Sequence, residues 1–140
     1  MDWYIGAWKK YAEFSGRARR TEYWYFQLFN MIVSIILVIP MFVMIPLSVR
    51  NPGIVNFLML LMLPFGIFSL AAFLPSLAIM VRRLHDIGRS GWWYFIAFVP
   101  FVGGIILLIF TLLDSEPGMN LYGPNPKGVQ ALGPMPPYTY

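Results

Sequence analysis

The chain has 140 residues, of which 59% are hydrophobic and only 11% are charged. Because a soluble domain carries about 25% charged residues, this composition excludes an ordinary soluble protein, whose surface so few charges could not cover. The absence of cysteine excludes disulfides, thiolate metal sites and cysteine nucleophiles.

The first predicted element is a short amphipathic helix from Trp3 to Phe14. Its apolar residues fall on one helical face, whereas Lys9 and Lys10 lie elsewhere around the helix. This periodicity indicates a helix that lies flat in the membrane interface with its aromatic side chains towards the lipid. The alternative is an ordinary amphipathic helix packed on another protein.

Three later stretches contain no Asp, Glu, Lys, Arg or His: Tyr23–Val49, Asn51–Val81 and Ser90–Leu113. Each exceeds the roughly 20 residues that an α-helix needs to cross the hydrocarbon core. We therefore predict an all-α polytopic membrane protein with about three transmembrane helices and the amino-terminal interfacial helix. The three long helices are predicted near Tyr23–Val49, Ile54–Asp86 and Ser90–Leu113.

The third stretch carries Pro100, Gly103 and Gly104 near its middle. Proline and glycine are tolerated in membrane helices but often kink them, so we predict a kinked spanning helix. The alternative is a re-entrant hairpin that turns at these glycines and returns the chain to its starting side. Its two halves would be too short to span and would need shielding by protein.

After Leu113 the chain is rich in Pro, Gly and Asn, which specify turns rather than regular structure. The last stretch contains Pro134, Pro136 and Pro137 and is predicted to be a flexible tail. We predict one membrane domain over residues 1–128 and a Pro-rich tail over residues 129–140.

The distribution of basic residues predicts the orientation. Eight of the 10 Lys and Arg residues flank the first and third stretches: Lys9, Lys10, Arg17, Arg19, Arg20, Arg82, Arg83 and Arg89. The positive-inside rule places both groups on the cytoplasmic side. The amino terminus is then inside, and three crossings would place the carboxyl terminus outside.

The segment from Arg82 to Trp93 contains the signals of a helix end and a helix start. Arg82 and Asp86 are four residues apart and can pair on one helical face. Gly88 can supply the left-handed residue that ends a helix, and Ser90 can cap the next one.

The arginines of both basic groups would meet in one headgroup layer, where guanidinium groups bind phosphate bidentately. We predict an anionic phospholipid site, since the arginines outnumber Glu22 and Asp86. The alternative is a salt-bridge network that holds the helices in register. The predicted headgroup-binding residues are Arg17, Arg19, Arg20, Arg82, Arg83, His85, Arg89 and Ser90.

Small and polar residues on helix faces predict close helix packing and self-association into a homo-oligomer. One set lies on the first long helix and the other on the second: Gln27, Asn30 and Ser34, then Gly66, Ser69, Ala72 and Ser76. A pore lining is the alternative for the first set.

No catalytic or metal-binding cluster is evident. His85 is the only histidine, and one histidine without partners does not make a metal site. We predict no cofactor and no nucleic-acid partner, because a basic run beside an apolar 20-mer is what membrane topology alone demands.

Three pieces of the sequence resemble the bacterial inner-membrane family called domain of unknown function 805, the YhaH-like proteins. They run from Phe14 to Trp24, from Arg82 to Trp93 and from Pro117 to Lys127. The resemblance covers nearly everything from Trp3 to Gly128 and is most specific at Arg82–Trp93. It implies a small inner-membrane protein of unassigned activity and supplies no catalytic residues.

The favoured functional hypothesis is a non-enzymatic, multi-pass component of the bacterial inner membrane that binds anionic lipid headgroups or partner helices. An oligomeric channel or facilitator for a small solute or ion is the alternative. A lipid-acting enzyme comes third, because its acid-base group would have to be His85.

Overall fold

The computed structural model describes residues 2–48, 51 and 53–128. In chain order these form α1 (Asp2–Lys9), α2 (Arg20–Ser48), α3 (Ile54–Asp86), a 3-10 helix (Gly91–Phe98) and α4 (Gly103–Leu112). No β-strand occurs among the described residues, so the all-α prediction is confirmed. The predicted tail, residues 129–140, lies outside the described part of the chain.

Helices α2 and α3 are the two elements long and apolar enough to cross a membrane. Their 29 and 33 residues correspond to about 43 and 50 Å at 1.5 Å per residue. Most of their apolar side chains point outwards, including Phe42, Leu63 and Leu70. An outer surface this apolar suits lipid rather than water.

The bounds of α3 agree with the predicted helix, and α2 begins one turn earlier than predicted. The buried core is small and lies where the start of α2 meets the end of α3, at Ala18, Phe26 and Ile79. Away from this core the apolar side chains of the two helices are largely exposed.

Helix α1 is shorter than the predicted Trp3–Phe14 element and ends at Lys9. Beyond it, Glu13 N–H donates to Lys10 O at 3.1 Å, a bond that spans three residues and turns the chain. Trp8 packs against the core, with its ring centroid 6.5 Å from that of Phe26. Location of α1 in the membrane interface stays a prediction.

The stretch from Ser90 to Leu113 does not form one helix, so the predicted third spanning helix is wrong. The 3-10 helix and α4 are joined at residues 99–102 and pack against each other as a hairpin. Phe101 adopts a φ of 66° at the turn. A Cβ on Gly103 would lie 1.9 Å from Ile96 O, so this glycine lets the two arms meet.

The hairpin arms are too short to span. Eight residues of 3-10 helix rise about 16 Å and the ten residues of α4 about 15 Å, roughly half the hydrocarbon thickness. The two arms therefore form the kind of hairpin that the re-entrant alternative describes, and its placement in the membrane stays a prediction.

The segment after the hairpin returns to the end of the molecule that carries the basic residues. Arg17 Nη1 donates to Gly118 O at 2.9 Å, and Asn120 Nδ2 donates to His85 O at 2.9 Å. We call this end, formed by residues 16–22, 82–90 and 111–127, the ionic end. The amino and carboxyl termini were predicted to lie on opposite sides of the membrane. For the chain up to Gly128 this prediction is wrong, because the third stretch turns back and brings the following segment to the same end as residues 16–22.

Candidate functional site

Asp86 lies at the centre of the ionic end and is fully buried. Its Oδ1 pairs with Arg17 Nε at 3.0 Å, and its Oδ2 accepts from Arg83 Nη1 and from Ser115 Oγ, the latter at 2.5 Å. A buried carboxylate is tolerated when such partners replace its lost hydration. The predicted pairing of Asp86 with Arg82 is therefore wrong.

Arg17 connects the three chain segments of the ionic end. Its side chain is 2% exposed, and its hydrogen bonds go to the Asp86 carboxylate and to four backbone carbonyls, those of Asp86, Glu116, Gly118 and Gly123. These five bonds match the five N–H donors of a guanidinium. Arg17 is thus saturated by protein and has no donor left for a ligand.

Arginines also cover the carboxyl end of α4, where helix carbonyls lack intrahelical donors. Arg83 Nε donates to Thr111 O at 3.3 Å, and Arg83 Nη2 donates to Leu113 O. Arg20 Nη1 donates to the carbonyl between them, Leu112 O, at 3.1 Å. Three consecutive carbonyls are therefore held by two guanidinium groups, which fix the base of the hairpin.

Arg82 joins the end of α3 to the start of α2. Its Nη1 lies 3.5 Å from Glu22 Oε1, and its backbone carbonyl accepts from Ala18 N–H at 3.0 Å. Its side chain is 3% exposed, and Nε and Nη2 have no hydrogen-bond partner among the described residues.

His85 packs rather than projects into solvent. Its ring stacks on Tyr122 with centroids 3.8 Å apart and planes 1° from parallel, and its Nδ1 lies 3.3 Å from Gly16 O. Within the described residues no group of three His, Cys, Asp or Glu side chains could hold a metal ion.

The remaining predicted headgroup residues stay accessible to different degrees. Arg89 is exposed, with its guanidinium 5.1 Å from the Trp93 ring and 5.9 Å from the Phe110 ring. Arg19 is half-buried. The Arg20 side chain is 41% exposed and lies 3.2 Å from Asp114.

Two local predictions hold at the α3 boundary. Gly88 adopts the left-handed conformation with a φ of 71°. Ser90 Oγ accepts from Trp92 N–H at 3.4 Å and so caps the 3-10 helix.

The predicted packing residues divide between the interior and the outer surface. Asn30 and Ala72 are buried, Gln27, Ser34 and Ser76 are half-buried, and Gly66 and Ser69 are exposed. A groove of about 350 Å³ lies beside Gln27 and Ser76, between α2, α3 and the hairpin.

Sequence reasoning missed the carboxyl-terminal part of the network, which supplies Ser115, Glu116, Gly118 and Gly123. The signal was the third family-like piece, Pro117–Lys127, which contains Gly118 and Gly123 and begins directly after Glu116. Its closely spaced turns leave backbone carbonyls without helical or strand partners, and these carbonyls can accept hydrogen bonds from a buried arginine.

Comparison with known proteins matches most of the chain to one family. The model of a family described as "Protein of unknown function (DUF805)" matches residues 11–124. The chain belongs to this family. The match covers both long helices, the hairpin and nearly all of the ionic end.

Two relatives within the DUF805 family come from Escherichia coli K12. The inner membrane protein YhaI is 42% identical over 129 residues, covering 91% of this chain and 97% of its own length. The inner membrane protein YhaH is 38% identical over 127 residues, covering 91% and 98%. No solved structure matches the chain. With its two apolar helices of spanning length, this DUF805 member is an integral membrane protein with no assigned activity.

Proposed function

We propose that this protein is a non-enzymatic component of the bacterial inner membrane that binds anionic phospholipid headgroups at its ionic end. Nine of the 10 basic residues lie before residue 21 or after residue 81, with Arg50 as the exception. Basic groups near an anionic membrane surface contribute about 1 kcal/mol each.

The observation that carries the proposal is the environment of Arg89. Its guanidinium lies over the rings of Trp93 and Phe110, and it forms no ion pair within the described part of the chain. Tryptophan and arginine together are typical of the membrane–water interface. Arg19 likewise has no carboxylate partner among the described residues, so no protein carboxylate competes with a phosphate for either cation.

The proposed orientation places the ionic end in the cytoplasm. Arg17, Arg82 and Arg83 are turned inwards by their protein partners, so they act as structural groups rather than as headgroup ligands. Residues 113–128 lie at the same end, and the proposal therefore puts both them and the amino-terminal segment on the cytoplasmic side.

Native mass spectrometry with added phosphatidylglycerol tests the proposal. The double variant Arg19→Gln/Arg89→Gln should bind phosphatidylglycerol about 30-fold more weakly, since two basic groups contribute about 2 kcal/mol together. Arg50→Gln is a control for the loss of a basic charge, because Arg50 is distant in sequence from both basic groups. Equal affinity of the double variant and the wild type would reject the site.

An oligomeric channel or facilitator is the second candidate function, and the hairpin tip favours it. Phe101 is 95% exposed on non-helical backbone, and in a re-entrant hairpin with arms of this length it would lie at mid-membrane depth. Such backbone is stable when it is covered by protein or lines a water-filled cavity. Ion or solute flux in liposomes containing the wild type would support this function, and the absence of flux would reject it.

A further inference from the structure

The groove between α2, α3 and the hairpin begins directly below the ionic end. Its upper wall is Tyr23 and Thr111, and its lower wall is Phe73 and Gly104. From Gly104 to Thr111 the rise along α4 is about 10 Å. Phe73 is 61% and Leu108 49% exposed, so the groove is open to the surrounding lipid.

Hydrogen-bonding groups enter this apolar groove from three elements. Gln27 Nε2 donates to the Tyr23 hydroxyl at 3.3 Å, which leaves the hydroxyl proton free to donate. Ser76 and Tyr94 also line the groove, and neither hydroxyl group has a hydrogen-bond partner within the described part of the chain. Unsatisfied polar groups at membrane depth cost free energy, so an occupant with hydrogen-bond acceptors is favoured.

The size and position of the groove favour a phospholipid over other occupants. Its volume of about 350 Å³ falls within the roughly 300–1,000 Å³ of small-molecule sites, whereas a helix about 10 Å wide does not enter it. Arg20 begins the turn that precedes Tyr23, and its side chain is 41% exposed. A phosphate at Arg20 would place the ester carbonyls of a glycerolipid beside the groove hydroxyls.

We propose that one phospholipid molecule occupies this groove, with its phosphate at Arg20, an ester carbonyl at the Tyr23, Ser76 and Tyr94 hydroxyls, and part of one acyl chain between α3 and α4. This inference deepens the proposed lipid-binding function, on which it rests, by adding a second, intramembrane site for one retained lipid.

Filling the groove tests the inference. A Cβ on Gly104 meets no atom within 4 Å, so Gly104→Leu projects a side chain into open space. Gly66→Leu is the matched control, because Gly66 is also a helical glycine with nothing within 4 Å and does not line the groove. Circular dichroism checks that both variants fold.

The readout is phosphatidylglycerol retained during gentle detergent purification, measured by native mass spectrometry. Wild type and Gly66→Leu should keep one tightly bound phospholipid, whereas Gly104→Leu should lose it. Arg20→Gln should weaken binding about tenfold through loss of one charged hydrogen bond. Undiminished retention by folded Gly104→Leu, or release of a different small molecule from the wild type, would overturn the inference.

The test of the groove proposal can be distinguished from the test of the headgroup site at Arg19 and Arg89. If Arg19→Gln/Arg89→Gln weakens phosphatidylglycerol binding while Gly104→Leu retains its lipid, the headgroup proposal stands and the groove proposal fails. If only Gly104→Leu loses lipid, the groove proposal stands and the surface proposal fails.

Discussion

Arg17 and Asp86 are 69 positions apart in the chain, and Arg17 Nε meets Asp86 Oδ1 at 3.0 Å with both side chains almost wholly buried. This contact joins the segment before α2 to the end of α3. The same guanidinium binds carbonyls of the segment that follows the hairpin. One ion pair therefore organises the whole ionic end.

Removal of the Arg17 guanidinium should strongly destabilise the fold. In Arg17→Gln the buried Asp86 carboxylate keeps Arg83 but loses its second cation, and breaking a buried pair costs about 3–5 kcal/mol. Thermal unfolding in detergent measures the loss. Lys10→Gln is the control, because its pair with Glu13 is exposed and contributes less than about 1 kcal/mol. Similar melting of both variants would contradict the role of Arg17.

The hairpin should depend on the absence of a side chain at Gly103. Gly103→Ala places a methyl group against the Ile96 carbonyl, 1.9 Å away before relaxation, and overpacking of this kind costs about 3 kcal/mol. Cross-linking of cysteines placed at Trp93 and Phe110, whose rings meet across the two arms with centroids 5.7 Å apart, should therefore weaken in a membrane sample. Gly66→Ala is the control at an open glycine. An unchanged cross-link in Gly103→Ala would contradict the hairpin.

Much of the α-helical architecture could be predicted because it follows from local pattern. The bounds of α3 come from the turn signal before Ile54 and the helix-ending Gly88, both of which act over a few residues. The apolar run from Ser90 to Leu113 was ambiguous, since one kinked helix and a hairpin of two short arms have the same composition. The close contact of Gly103 with Ile96 O distinguishes them, and this contact depends on tertiary packing, which local sequence patterns do not reveal.

The candidate site was harder to predict, because a comparison of the numbers of arginines and carboxylates ignores backbone carbonyls that also accept hydrogen bonds from arginine. The arginines of the ionic end outnumber its carboxylates, which suggested free cations. Backbone carbonyls at Thr111, Gly118 and Gly123 supply the missing partners, and their positions depend on the return of the chain after the hairpin. The sequence identified the arginine cluster of the ionic end. The fold was needed to show which of these arginines are buried by protein partners and which remain accessible.

Asp114 should titrate at unusually low pH because of Lys127. The hydrogen bond from Lys127 holds the pKa of this carboxyl below its ordinary value of 3.8. Its stabilising effect is therefore present above pH 3.8 and is lost as the pH falls through the lower pKa of the folded state. Lys127→Met should raise the pKa, as followed by carboxyl carbon NMR, whereas Lys10→Met should not. No difference between the two variants would argue against the pair.

A reporter fused after Gly128 should show that the segment following the hairpin is cytoplasmic. Alkaline phosphatase, which is active only in the periplasm, should be inactive at this position, and green fluorescent protein should be fluorescent. The same reporters at Asn51, between α2 and α3, should give the opposite result. Periplasmic activity after Gly128 would contradict the return of the chain to the ionic end.

The lipid composition around the protein tests the proposed function most directly. Native nanodiscs cut from bacterial membranes with an amphipathic copolymer should contain a higher fraction of anionic phospholipid around the wild type than the bulk membrane does. Arg19→Gln/Arg89→Gln should lower that fraction towards the bulk value, because two cations without a carboxylate partner among the described residues are gone. A wild-type nanodisc with the bulk lipid composition would contradict the account.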